Sequence, residues 1–123
     1  KFHPTTSLLV TGGLRRENYG VLIGDAAENM LKSIYVDMAF MGCDAISLDD
    51  GVYNSNILEL GVKKQIVNCG KRLVLVTDSS KFHKKALAKV CDLKELDAVI
   101  TDDGLEPESY EALKKIVVHT YRV

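Results

Sequence analysis

The stretch that most limits what this chain can become is Arg72 to Phe82, RLVLVTDSSKF. It is an unbroken apolar run, Leu73 to Val76, followed at once by Thr77, Asp78, Ser79, Ser80 and Lys81. Strands covered on both faces read as continuous apolar runs, whereas half-exposed strands alternate, so the pattern predicts a parallel strand in a layered α/β domain. In open parallel sheets the ligand crevice lies beyond the carboxyl ends of the strands, which is where Asp78, Ser79, Ser80 and Lys81 fall. An ammonium beside two hydroxyls suits a phosphate or a sugar. The competing reading is local: Asp78 and the serines cap a turn, and Lys81 is solvated.

Around that strand the periodicities alternate. Ser7 to Thr11, SLLVT, predicts a strand closed by Gly12 and Gly13, and glycines there permit positive φ or a close approach to a ligand, which makes Gly13 a candidate lining residue. Leu14 to Tyr19 reads as a polar connection with Arg15 and Arg16 solvated. Gly24 to Tyr35 has Ala27, Met30, Leu31 and Ile34 at helical spacing, with Asp25 and Glu28 at the positive end of the helix dipole. Val36 to Cys43 returns to strand character. Asp44 lies just past its end, facing the same crevice as Lys81 if the two strands are neighbours.

Asp50 and Gly51 mark a tight reversal within Ile46 to Val52. Ser55 to Asn68 predicts a second helix, with Ile57, Leu58, Val62, Ile66 and Val67 on one stripe and Ser55 as its cap. Strand, helix and parallel strand in that order make a right-handed crossover. His83 to Leu96 admits either a short amphipathic helix or an extended run. Asp97 to Thr101 predicts a strand, Pro107 to Lys115 a helix with proline in its first turn, and Ile116 to Val123 a last strand. The sum is an α/β domain with a mostly parallel sheet flanked by helices.

Composition narrows the function classes. With 123 residues, 46% of them hydrophobic and 27% charged, the chain forms one domain that needs neither disulfide nor metal to hold it. Cys43, Cys69 and Cys91 are odd in number and show no C-x-x-C pair, and His3, His83 and His119 are scattered, so no metal site is expected. No cofactor motif of the GxxxxGK or GxGxxG kind occurs. A net charge of -1 with lysines and arginines dispersed argues against DNA binding by this piece itself. Apolar runs too short for a bilayer and the lack of a signal-peptide pattern point to the cytoplasm and away from a membrane.

Four segments together carry a family resemblance: TGGL at Thr11 to Leu14, DMAFMGCDAI at Asp37 to Ile46, TDSSKF at Thr77 to Phe82 and LDAVITDDGL at Leu96 to Leu105. In order and spacing they resemble the effector domain of DeoR-type bacterial transcription regulators. The resemblance implies a three-layer, Rossmann-like fold of the isomerase/CoA-transferase kind. It also implies a sensor that binds a phosphorylated sugar or related metabolite, joined in the full protein to an N-terminal winged helix-turn-helix that contacts DNA. The chain is then expected to be a fragment, without that DNA-binding part and without the family's upstream GTT-like loop, and the whole protein a homo-oligomer.

The same sheet resembles ribose-5-phosphate isomerases, whose GADE-x-D and DESK motifs supply paired carboxylates. Here Asp44 and Lys81 are retained, while Ala45 and Ser47 stand at the other acidic positions. Moving a proton between adjacent carbons needs a carboxylate base and a group that steadies the enediolate. Loss of the second carboxylate therefore implies binding without turnover, with Asp44, Lys81, Ser79, Ser80, Gly13 and Asp78 as the ligand-binding set and no catalytic residue. The alternative is an active sugar-phosphate isomerase or deaminase.

Overall fold

A computed structural model describes all 123 residues. Regular structure begins with a hairpin, β1 (Leu14–Arg16) and β2 (Val21–Ile23), followed by α1 (Asp25–Lys32), β3 (Val36–Met41), β4 (Ala45–Ile46) and β5 (Gly51–Asn54). A 3-10 turn, Ile57–Glu59, runs into α2 (Leu60–Asn68) and β6 (Gly70–Val76). After a second 3-10 turn, Ser79–Lys81, come β7 (Ala88–Asp92), a third turn Leu93–Glu95, β8 (Ala98–Thr101), α3 (Pro107–Ile116) and β9 (His119–Arg122).

The apolar runs become one parallel sheet in the order β3-β6-β8-β9, and a separate antiparallel sheet has the order β4-β5-β7. α2 packs against β3 and β6 on one side and against β7 on the other, so it lies between the two sheets. Leu73, Leu75, Ala39, Met41 and Val99 form the buried side of the large sheet, joined in one core by Val52, Val90 and Cys91 of the small one. Full burial of a side chain such as Leu75 stabilises the fold by about 1.5–3 kcal/mol. Gly51 is required where β5 meets β7, because a Cβ there would stand 2.2 Å from Cys91 O.

The opposite face of the large sheet is open. Met38, Phe40, Val76 and Tyr121 are exposed on it, Phe40 by 60%, and Met38, Phe40 and Tyr121 with Arg72, Val74 and Ile100 line a shallow apolar depression of about 540 Å³. The mostly parallel α/β sheet with flanking helices is as expected. The expectation that the Leu73 to Val76 strand is covered on both faces holds through Val74, which is buried, and fails at Val76, which stands exposed on the open face.

Three local expectations change. Ser7 to Thr11 forms no strand, and Leu8, Leu9 and Val10 stay exposed, because no neighbouring strand accepts their main-chain donors. Leu14 to Tyr19 is the first half of the β1–β2 hairpin rather than an irregular connection; Arg15 is exposed as expected, whereas Arg16 is half-buried against Glu59 and stacks over Tyr19 at 4.3 Å. In His83 to Leu96 the extended reading holds from Ala88: Ala88 and Val90 turn inward, the strand pairs with β5, and a capping box between Asp92 and Glu95 ends it.

Candidate functional site

Because β3, β6 and β8 are adjacent and parallel, the loops after their carboxyl ends lie side by side. The first of these loops carries Gly42, Cys43 and Asp44, the second runs from Thr77 to Phe82, and the third holds Asp102 to Gly104. Ile46 pairs with Phe82 in a lone parallel bridge, which draws the Asp44 and Lys81 segments together across the gap between the two sheets.

Asp44 is exposed, and one of its oxygens, Oδ2, accepts two hydrogen bonds from Ser55, from the N–H at 2.7 Å and from the hydroxyl at 2.8 Å. Partial burial works to raise its carboxyl pKa, but the Ser55 bonds and the positive charges of Lys63 and Lys81 outweigh it and hold the group below the usual value. Neither lysine forms an ion pair, and Lys63 donates only to Gly42 O, at 3.0 Å. Two positive charges thus act on a carboxylate whose Oδ1 makes no hydrogen bond. Beneath them Cys43 donates to Thr77 Oγ1 at 3.5 Å, and burial raises its thiol pKa despite that bond.

Lys63 is the functional candidate that pattern reading passed over. Its signal lay in the topology: a crossover helix begins near the carboxyl end of the preceding strand, so a cation in the first turn of α2 faces the crevice. Ser55, read as a helix cap, turns onto Asp44 instead. The capping falls to Asn56, whose Oδ1 accepts the Leu58 N–H at 2.8 Å.

Asp78 begins the 3-10 turn and accepts the Ser80 N–H at 2.8 Å as well as the Ser80 hydroxyl, bonds that lower its carboxyl pKa. Asp102 accepts the Ser79 N–H at 2.9 Å and the Gly104 N–H at 2.8 Å, and its pKa is lowered chiefly by Ser79. Asp78 therefore shapes the loop that carries Lys81. The Ser80 hydroxyl donates to Asp78 and keeps its lone pairs for an incoming donor. Phe82 anchors the loop at 3% exposure, and His83 beyond it sits at φ 61°, with its ring held by Glu106 and by the buried Ser109 hydroxyl at 3.0 Å. Bonds from Ser109, from the main chain and from His83 keep the Glu106 carboxyl at about 2.

Gly13 has φ 110°, and a Cβ there would meet Ile23 O at 2.6 Å and Ala27 at 3.0 Å, so its tight neighbours belong to β2 and α1 rather than to Asp44 or Lys81. Asp50, read as part of a solvated turn, is bonded to Lys89 and Tyr53, which hold its carboxyl at about 2. Ala45 is buried, and Ser47 is half-buried. Asp44 thus has no second carboxylate at those two positions. No group of three or more His, Cys, Asp or Glu gathers to hold a metal ion, and no helix is long and apolar enough to cross a membrane.

A parallel sheet with polar loops at its carboxyl edge, cationic and hydroxyl-rich, has the layout of a small-molecule sensor module. The sequence matches the family described as the DeoR C-terminal sensor domain over residues 1–103, and the chain belongs to that family. It is 38% identical over 116 residues to a putative aga operon transcriptional repressor of Escherichia coli O157:H7, covering 94% of this chain and 43% of that protein. It is 34% identical over 106 residues to a putative sgc region transcriptional regulator of Escherichia coli (strain K12), covering 86% and 40%. An L-fucose operon activator of Haemophilus influenzae is 28% identical over 97 residues, covering 79% and 39%. The chain spans less than half the length of these relatives.

Proposed function

We propose that this domain senses a phosphorylated sugar or a closely related metabolite, and that occupancy controls DNA binding by a helix-turn-helix elsewhere in the full-length regulator. The observation that carries the reading is the pair of unpaired ammonium groups, Lys63 and Lys81, beside Asp44 with its free oxygen. The lysines match a phosphate, and Asp44 Oδ1 matches a sugar hydroxyl. Ser79 and Ser80 line the approach, and Asp78 holds the loop in shape. The relatives named for the aga and L-fucose operons support a sugar-derived effector.

The regulator acts in the cytoplasm as a homo-oligomer. Its effector shifts the population between subunit arrangements by binding one of them more tightly. The domain binds without turnover, since Ala45 and Ser47 leave Asp44 without a second carboxylate for proton transfer. Thermal unfolding of the full-length regulator against a panel of phosphorylated sugars, with inorganic phosphate as control, tests this. One sugar phosphate is expected to raise the midpoint, and Lys81→Ala to abolish the shift. Conversion of an aldose phosphate to its ketose, or release of ammonia, would establish the isomerase or deaminase reading instead.

A further inference from the structure

We propose that Asn54 is a positioning residue: buried at the end of β5, it holds Ser55 against Asp44 and so leaves the Oδ1 oxygen of that carboxylate free to face a ligand. The inference deepens the sensor reading and rests on it for the role of Asp44. Asn54 is only 1% exposed, an unusual place for a carboxamide with two donors and an acceptor to satisfy. Its Nδ2 donates to Asn56 O at 3.1 Å, which closes residues 54 to 56 into a small ring. Ser55, at the middle of that ring, is turned outward, and its N–H and hydroxyl both reach Asp44 Oδ2. On the near side the Asp44 N–H donates to Tyr53 O at 3.1 Å, so the chain is fixed on both sides of Asn54.

The other end of the amide shows why this residue is more than core filling. Asn54 Oδ1 is buried and has no hydrogen-bond partner. An unpaired buried acceptor is destabilising, and an apolar side chain of the same size would remove that penalty. The one thing leucine could not supply is the donor to Asn56 O. The stability of the fold gives no reason for an amide here, whereas the placement of Ser55 does.

The test is Asn54→Leu in the full-length regulator, followed by residue-resolved amide hydrogen exchange and thermal unfolding. The Ser55 amide should exchange at least about tenfold faster, the loss expected for a hydrogen bond to a charged group. The Ser79 amide, held in the same manner by Asp102 at 2.9 Å, should not change, and the unfolding midpoint should stay level or rise. Unchanged Ser55 exchange in a folded variant would overturn the proposal. So would parallel acceleration at Ser55 and Ser79 with a lower midpoint, which is the signature of a general structural role. Should the leucine variant not fold, Asn54→Ala is read by the same two amides. No ligand enters either measurement, so a failed search for a sugar phosphate and a failed positioning role give separate results.

Discussion

The two faces of the β3-β6-β8-β9 sheet are built from the same strands and behave oppositely. On one face Leu75 and Val99 are fully buried beneath α2 and the rest of the core, and on the other Phe40, Val76 and Tyr121 stand in the open. Alternation along each strand decides which residues go where, but it does not decide whether a face is covered. The strands have apolar residues on both sides, as strands of buried parallel sheets do. The chain is therefore written for two layers of cover and supplies one.

The largest effect expected is on the covered face: Leu75→Ala should cost this chain about 3–5 kcal/mol in urea unfolding, through lost burial and a residual cavity. Next comes Phe40→Ala in the full-length regulator. If the open face is packed there, the loss should be about 3 kcal/mol, and a change below about 0.5 kcal/mol would break the comparison by showing that the face is bare in the whole protein too. In the 123-residue chain alone the same substitution should be the smallest effect, within about 0.5 kcal/mol.

A further effect, of acid, is expected at the small β4-β5-β7 sheet. The Asp50 carboxyl, bonded to Lys89 and Tyr53, has its folded pKa depressed to about 2 from the model-peptide 3.8, so its contribution is present above 3.8 and lost as pH falls toward 2. Asp50→Asn should flatten the fall in unfolding midpoint across that window by lowering the midpoint at neutral pH, while leaving it nearly unchanged at the acid end, where the carboxyl is already protonated. An identical acid slope in the variant would show that the β5–β7 ion cluster does not contribute. Because these groups are exposed, the effect is moderate and shrinks with salt.

Much of this was legible in the sequence, for reasons that vary by element. β6, β3 and β8 were readable because each is a short apolar run ended by glycine or polar residues, and α3 because Pro107 marks its first turn. That the Asp44 and Lys81 segments lie on neighbouring loops followed from placing their strands side by side. β4, β5 and β7 were not readable as a sheet: they are two to five residues long, and β5 takes a register shift between Val52 and Tyr53, so pairing rather than local preference makes them strands. Ser7 to Thr11 fails in the opposite sense, with strand-forming residues and no neighbour to pair with. Lys63 and Asn54 escaped notice because their roles depend on which way a helix enters and a turn closes.

The lone pairing of Ile46 with Phe82, helped by one long bond from the Lys84 N–H to Ile46 O at 3.4 Å, is a narrow seam between two separate sheets. Asp44 and Lys81 stand on either bank of it. The spacing between those two side chains is therefore set by a single pair of residues, Ile46 and Phe82, and not by either sheet alone.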